Sequence, residues 1–205
     1  MRAESGSVLE SRSALAAVLP ASGHDGADGL RRLRLGEASL GSLVQVGVYP
    51  GGEGLVERAA HALPTKALPV STVAAVRVEG CMAFRIAADQ YWIRSLSPSL
   101  AVELRALLPE QAASVTPLEG SRTCIRIEGP AARSLLGRLV AIDVDPEHFG
   151  IGHFAQVPIH HVGGLLYRAE LDCYEFIALR TFAASTFEVI EDAARFYGYD
   201  ICEET

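Results

Sequence analysis

Residues 122–136, RTCIRIEGPAARSLL, constrain the fold more than any other stretch. Thr123, Ile125 and Ile127 alternate with Cys124, Arg126 and Glu128, the period-two pattern of a strand with one buried face. Gly129 and Pro130 end that ladder and open a helix, because proline tolerates the first helical position, where its missing N–H had no partner. Leu135, Leu136 and Leu139 then mark an apolar stripe over residues 130–139. A strand that turns into an amphipathic helix needs further strands to pair with and a sheet face for that stripe to cover.

Those further elements occur twice. In the first half, residues 42–49 read as a strand, 54–63 as a helix, 72–78 and 82–94 as strands. Ser97 and Pro98 then open a helix with Leu100, Leu104, Leu107 and Leu108 inward. In the second half the strand ending at Glu128 and the helix 130–139 are followed by strands near 153–161 and 164–179 and a long helix near 182–196. Each half reads β-α-β-β-α. Tyr91 and Tyr174 are 174 − 91 = 83 residues apart, as are Pro98 and Thr181 (181 − 98 = 83), which fits an internal duplication. The expected fold class is α+β, with the two halves packed sheet to sheet or side by side. The expected division is 1–39, irregular with a short helix near 13–19 and a loop over 21–29; 40–112, the first half; and 113–205, the second.

Composition limits the chemistry. A net charge of -7 disfavours a phosphate-binding surface. No run of about 18 apolar residues is present, so no membrane span is expected, and the cytoplasm is the expected compartment. Lys66 is the only lysine and sits between prolines in LPTKALP, a poor place for a desolvated amine. Cys81, Cys124, Cys173 and Cys202 form no CxxC or CxxH pair. Cys124 and Cys173 read as small buried thiols.

Three further patterns fall short of a site. Tyr49 to Gly54, YPGGEG, fits neither the dinucleotide nor the P-loop glycine pattern and reads as a turn. His148, His153, His160 and His161 lie near Asp143 and Asp145, but His160 and His161 on one strand would point to opposite faces, which disfavours a shared metal ion. Arg126 and Glu128 share a strand face and are expected to pair. Trp92 and Tyr91 face opposite ways, one toward the core and the other toward an interface.

The order of segments carries more than any one motif. SRTCIRIEGPAARSLLGRL, IDVDPEHFGIGHFAQVPIHHVGGLLYR and DCYEFIALRTFAASTFEVIEDAARFYG, preceded by RSALAAVL, GHDGADG and SLVQVGVYPG, resemble the gamma subunit of heterotetrameric sarcosine oxidase. Departures are small: Val140-Ala141 stand where that family often has Cys-Pro, Val157 where it has Thr, and Thr181 where it has Ser. The resemblance implies a fold like the folate-binding domain of aminomethyltransferases. It implies a non-catalytic gamma chain, with alpha, beta and delta subunits as partners, in a complex that demethylates sarcosine to glycine. FAD, FMN and NAD would be carried by the complex, with tetrahydrofolate as one-carbon acceptor, and no cofactor by this chain alone. Gamma-type subunits of N-methylglutamate or dimethylglycine dehydrogenases are an alternative. Another is a stand-alone folate-binding protein, for which Glu79, Asp89, Glu128 and Asp172 are the strand-associated carboxylates. No catalytic or metal-binding residue is expected, and Arg122, Arg126 and Trp92 are the expected subunit-interface residues.

Overall fold

In a computed structural model, residues 13–63, 65–78 and 80–202 are described. Glu79, one of the folate-type carboxylates, lies outside them. The strands are β1 (Leu33–Glu37), β2 (Ser42–Val48), β3 (Val76–Val78), β4 (Cys81–Ala87), β5 (Gln90–Ser95), β6 (Ala113–Pro117), β7 (Arg122–Glu128), β8 (Phe154–Ile159), β9 (Val162–Glu170), β10 (Cys173–Leu179) and β11 (Tyr199–Cys202). The helices are α1 (Glu53–Ala60), α2 (Leu100–Leu107), α3 (Ala132–Leu139) and α4 (Ala183–Ala194). One sheet runs β3-β4-β5-β2-β6 and the other β11-β1-β7-β10-β9-β8.

The two sheets pack face to face and each carries helices on its outer side. Period-two alternation makes this work. On β2, Val44, Val46 and Val48 meet Leu100 and Leu104 of α2 in one core. Leu43 points the other way, into a layer shared with Phe84, Trp92, Cys124, Phe154, Tyr167 and Ile177 from both sheets. On β7, Ile125 and Ile127 meet Leu135 and Leu136 of α3 and Phe187 and Ile190 of α4. Phe84 on β4 contacts Phe154 at 5.2 Å and Tyr167 at 5.3 Å, both edge to face across the sheets. Each such pair contributes about 0.5–1.5 kcal/mol beyond its area burial.

The halves are related strand by strand, and they exchange a strand. β1 and β6 are 113 − 33 = 80 residues apart, and β2 and β7 are 122 − 42 = 80 apart. β5 and β10, and α2 and α4, begin 83 residues apart (173 − 90 and 183 − 100). The order β3-β4-β5-β2-β6 therefore matches β8-β9-β10-β7-β1. However, β1 precedes β2 in the chain yet pairs antiparallel with β7, and β6 precedes β7 yet pairs antiparallel with β2. Residues 38–41 and 118–121 are the two crossovers, and Ala38 and Leu118 lie at corresponding places in the inter-sheet core.

Several local expectations need correction. Residues 33–37 form β1 within the segment expected to be irregular, and 13–19 make turns rather than a helix, closed by Val18 and Leu19 amides donating to the Leu15 carbonyl and stopped by Pro20. Residues 82–94 and 164–179 are each a hairpin rather than one strand, turning near Ala88–Asp89 and Leu171–Asp172. These turns hold no glycine or proline to mark them. The Val48 amide donates to Asp89 O and the Gly129 amide to Asp172 O, closing the two halves in the same way. Pro130 stands before α3 rather than at its first position. Gly129 makes that corner feasible: it adopts φ +119°, and a Cβ there would lie 2.4 Å from the Arg32 carbonyl oxygen.

One ion pair crosses the inter-sheet layer. Arg94 on β5 reaches Glu175 on β10 at 2.5 Å, with side chains 13% and 8% exposed. The same guanidinium donates to Leu40 O at 3.0 Å and to Ser39 O in the first crossover. Removing either member leaves a buried charge unpaired, so Glu175→Ala or Arg94→Ala should cost about 3–5 kcal/mol. The Arg94→Leu/Glu175→Leu double variant should lose less than the sum of the two. Urea denaturation of the four proteins checks this, and a loss below about 1 kcal/mol in both single variants would refute the clamp.

Candidate functional site

The crossovers pass each other beside β7, and Arg122 stands at that place. Its guanidinium carbon is 5.4 Å from the centroid of the Trp92 ring, within cation–π reach. Trp92 itself is 9% exposed, in the inter-sheet core, and its Nε1 donates to Gln45 Oε1 at 3.1 Å. Two of the three expected interface residues are thus brought together, with Trp92 as the platform and Arg122 as the group that reaches outward. Arg126, also expected at an interface, lies four residues, two repeats of the pleat, further along β7. Its Nε donates to Glu128 Oε2 at 3.1 Å, the pairing their spacing implied.

Arg122 separates two clefts. On one side, about 270 Å³ lies between the crossovers, lined by Ser39, Gly41, Glu119, Gly120, Thr123 and Arg180 among others. On the other, about 360 Å³ is lined by Trp92, Ile86, Pro158, Leu165, Ile177 and Leu179. The first is polar and the second apolar. Burial pulls the Arg122 pKa below its ordinary value, the response of a cation partly withdrawn from water. Its Nη1 donates to Ser121 O at 3.3 Å and Ser121 Oγ at 3.2 Å.

Glu37 builds the floor of the polar cleft. Its carboxylate accepts from the Thr123 hydroxyl at 2.7 Å, the Ala14 and Leu15 amides at 3.2 Å each, and the Ser13 hydroxyl. It therefore ties the turn at 13–19 to β1 and β7. Burial would raise its pKa, but the hydrogen bonds from Ser13, Thr123, Leu15 and Ala14 outweigh that and lower it. Sequence reading missed both Glu37 and Glu175. The available signal for Glu175 was a charge in the middle of CYEFIAL, a strand whose first six residues are buried on both faces.

The other sequence candidates are dispersed. His160 and His161 form the two-residue turn between β8 and β9, not a strand, and their rings lie 3.8 Å apart rather than on opposite faces; His160 has φ +54°. His148 Nδ1 meets Asp143 Oδ2 at 2.9 Å on an exposed loop. No group of three potential metal ligands occurs among the described residues. Residues 49–52 make a turn, closed by the Gly52 amide on Tyr49 O, and Glu53 and Gly54 already begin α1. Cys81, Cys124, Cys173 and Cys202 are buried free thiols, and burial pushes Cys173 up to about 11, away from nucleophilic reactivity. Asp89 lines a separate cleft of about 490 Å³ between α1 and the β4–β5 turn, floored by Val48, Val56, Ala60 and Leu68. The arginine in that cleft, Arg85, is held by Val70 O at 2.8 Å and Ala88 O at 2.7 Å. No described helix is long and apolar enough to cross a membrane.

An unfolded glutamate titrates at its ordinary 4.5, and the folded Glu37 titrates lower. The stabilisation is therefore full above pH 4.5 and is lost as pH falls through the folded value. Acid unfolding followed by circular dichroism should show the wild type losing stability, as pH falls below 4.5, more steeply than Glu37→Gln. Parallel curves would remove Glu37 as the anchor of residues 13–19.

No family model matches the chain. Two curated relatives do. The sarcosine oxidase subunit gamma of Corynebacterium sp. (strain U-96) is 24% identical over 171 residues, 80% of this chain and 80% of the relative. That of Corynebacterium sp. (strain P-1) is 26% identical over 165 residues, 78% and 79% of the two chains. Among solved structures, a chain of the heterotetrameric sarcosine oxidase from Corynebacterium sp. U-96 matches with TM-score 0.78 at 22% identity, covering 91% of this chain and 96% of that one. The glycine cleavage system aminomethyltransferase T from Bartonella henselae matches with TM-score 0.60 at 16% identity, covering 83% of this chain and 48% of that one. The α+β class and the likeness to an aminomethyltransferase are borne out. By its ordered segments, and with a fold to match, the chain is a homologue of the sarcosine oxidase gamma subunit.

Proposed function

We propose that this chain is the gamma-type accessory subunit of a sarcosine oxidase-like complex and holds no catalytic site of its own. The observation that carries this reading is the extent of the match. The chain accounts for 96% of the matched chain of the heterotetrameric enzyme but 48% of aminomethyltransferase T. Its whole-chain counterpart is thus a subunit, and the aminomethyltransferase counterpart is half of a larger protein. The geometry agrees in kind. The inter-sheet space is filled by Phe84, Trp92, Phe154 and Tyr167, so the clefts lie at the surface, where a partner reaches them.

In this reading alpha, beta and delta chains complete the assembly in the cytoplasm. They carry FAD, FMN and NAD, and the complex oxidatively demethylates sarcosine to glycine with tetrahydrofolate as acceptor. The gamma chain supplies a rigid four-layer body against which the larger chains are held. Arg122 and Arg126, with Trp92 beneath Arg122, are its contact residues.

Purification of the tagged chain from its native source tests this. Larger chains with visible flavin absorbance should copurify, and the preparation should oxidise sarcosine. Partner binding at a hundred times its dissociation constant should stabilise the chain by about 2.7 kcal/mol. A chain that emerges alone, monodisperse and with an unchanged melting temperature in the presence of the other subunits, would refute the reading.

A further inference from the structure

We propose that the cleft beside Arg122 is the socket for one acidic side chain, with an apolar neighbour, presented by a partner subunit. This rests on the accessory-subunit reading above and names the chemistry of one contact within it.

The first observation is an unfilled hydrogen-bonding fork. Arg122 uses Nη1 alone, on Ser121. Its Nε and Nη2 donate to no described residue, and no described carboxylate pairs with it. Arg94 and Arg126, two other arginines on this inter-sheet face, each have a carboxylate, and Arg77 on the same face donates to Ala169 O on the opposite sheet. A guanidinium presents parallel N–H groups that fit a carboxylate in two-point contact. The second observation is position. The Arg122 guanidinium carbon lies 5.4 Å from the Trp92 ring centroid, and the residue lines both clefts. The polar cleft carries Glu37 and Glu119 as well as Arg122 and Arg180, whereas Arg122 is the one charged residue among those lining the apolar cleft, so an acidic group entering from that side meets it without a competing carboxylate.

The third observation is size and neighbourhood. Spaces of about 270 and 360 Å³ on the two sides of Arg122 lie at or below the lower end of the roughly 300–1,000 Å³ range of small-molecule pockets. They fit single side chains better than a free cofactor. Leu179 lines the apolar cleft and is 39% exposed, and Phe182, three residues on, is 47% exposed. An acidic residue beside a leucine- or phenylalanine-like one would fill both sides. Desolvation of the contact by these apolar groups strengthens the ion pair relative to water.

The test uses the full chain and its copurified partner subunits, with affinity measured by biolayer interferometry. Arg122→Glu should weaken association on the order of thirtyfold, with an unchanged melting temperature for the free chain. Arg122→Met keeps an apolar stem over Trp92 and guards against misfolding; it should also weaken binding and flatten its salt dependence. If the wild-type chain recruits no partner, the subunit reading falls and this proposal with it. If it does recruit one and neither variant weakens binding, the socket alone is refuted. If a Glu4→Gln/Glu10→Gln variant reproduces the Arg122→Glu loss, the cleft serves this chain's own first residues, and the proposal fails. Fluorescence of Trp92, the only tryptophan, supplies the last arm. A saturable, Arg122-dependent change on titrating acetate or inorganic phosphate into the free chain would reassign the site to a small anion and overturn the proposal.

Discussion

Arg94 holds the two sheets in one arrangement. Its guanidinium reaches Glu175 across the inter-sheet layer and the carbonyls of Ser39 and Leu40 in the first crossover. Burying two charges is costly, and their attraction offsets that cost only when geometry is good and the remaining donors are satisfied. Three acceptors on two segments, β10 and the first crossover, meet this condition in one relative placement of the sheets, and a sliding of either sheet would break at least one of them. The aromatic layer around it supplies more burial energy, but aromatic side chains tolerate several packings. The ion pair does not, and so it selects among them.

The exchange of β1 and β6 works in the same direction. Each half-sheet is completed by a strand that precedes the other half's first central strand in the chain. A half separated from its partner would expose an unpaired edge on β2 or β7, together with the apolar layer behind it. The duplication is therefore one cooperative body rather than two independent modules. It also explains where the polar cleft lies. Two crossovers running past each other leave a gap that the sheets cannot fill, and the chain places Ser39, Gly41, Glu119, Gly120, Arg122 and Arg180 around it.

Much of this was legible in the sequence. The strand at 122–128 was read from six alternating residues, and the leucine stripes of α2 and α3 from helical spacing. The 83-residue offset located equivalent positions correctly at β5 and β10. What failed was punctuation. The turns at 88–89 and 171–172 carry Asp but no glycine or proline, so two hairpins read as two long strands. The error recurs at equivalent positions because the duplication copied the turn. The turn at His160–His161 was unmarked for the same reason, with a histidine occupying a left-handed conformation that more often signals glycine. β1 was missed because five residues ending in Gly36–Glu37 give too short a period to count. Strand exchange was beyond reach: LRLGE and ASVTP contain nothing that says which sheet they join, since their antiparallel partners lie 88–94 residues (125 − 37, 128 − 34) and 65–73 residues (113 − 48, 117 − 44) away and are chosen by packing.

Arg122, Arg126 and Trp92 were identified as a set on the sequence, and their separation in space is informative. Arg126 has its carboxylate on the same strand and is electrostatically complete. Trp92 is enclosed, and its indole N–H already has Gln45. Only Arg122 combines partial burial with unused donors, which is the condition under which a group gains most from a partner that arrives later. A guanidinium already paired within its own chain gains less from an interface carboxylate than one with unused donors, and one fully in water gains little from another charge. The arginine at the exchange crossing lies between these limits. Its environment is set by the same crossovers that Arg94 and Glu37 secure, so the part of the surface best prepared for a partner is fixed by the core.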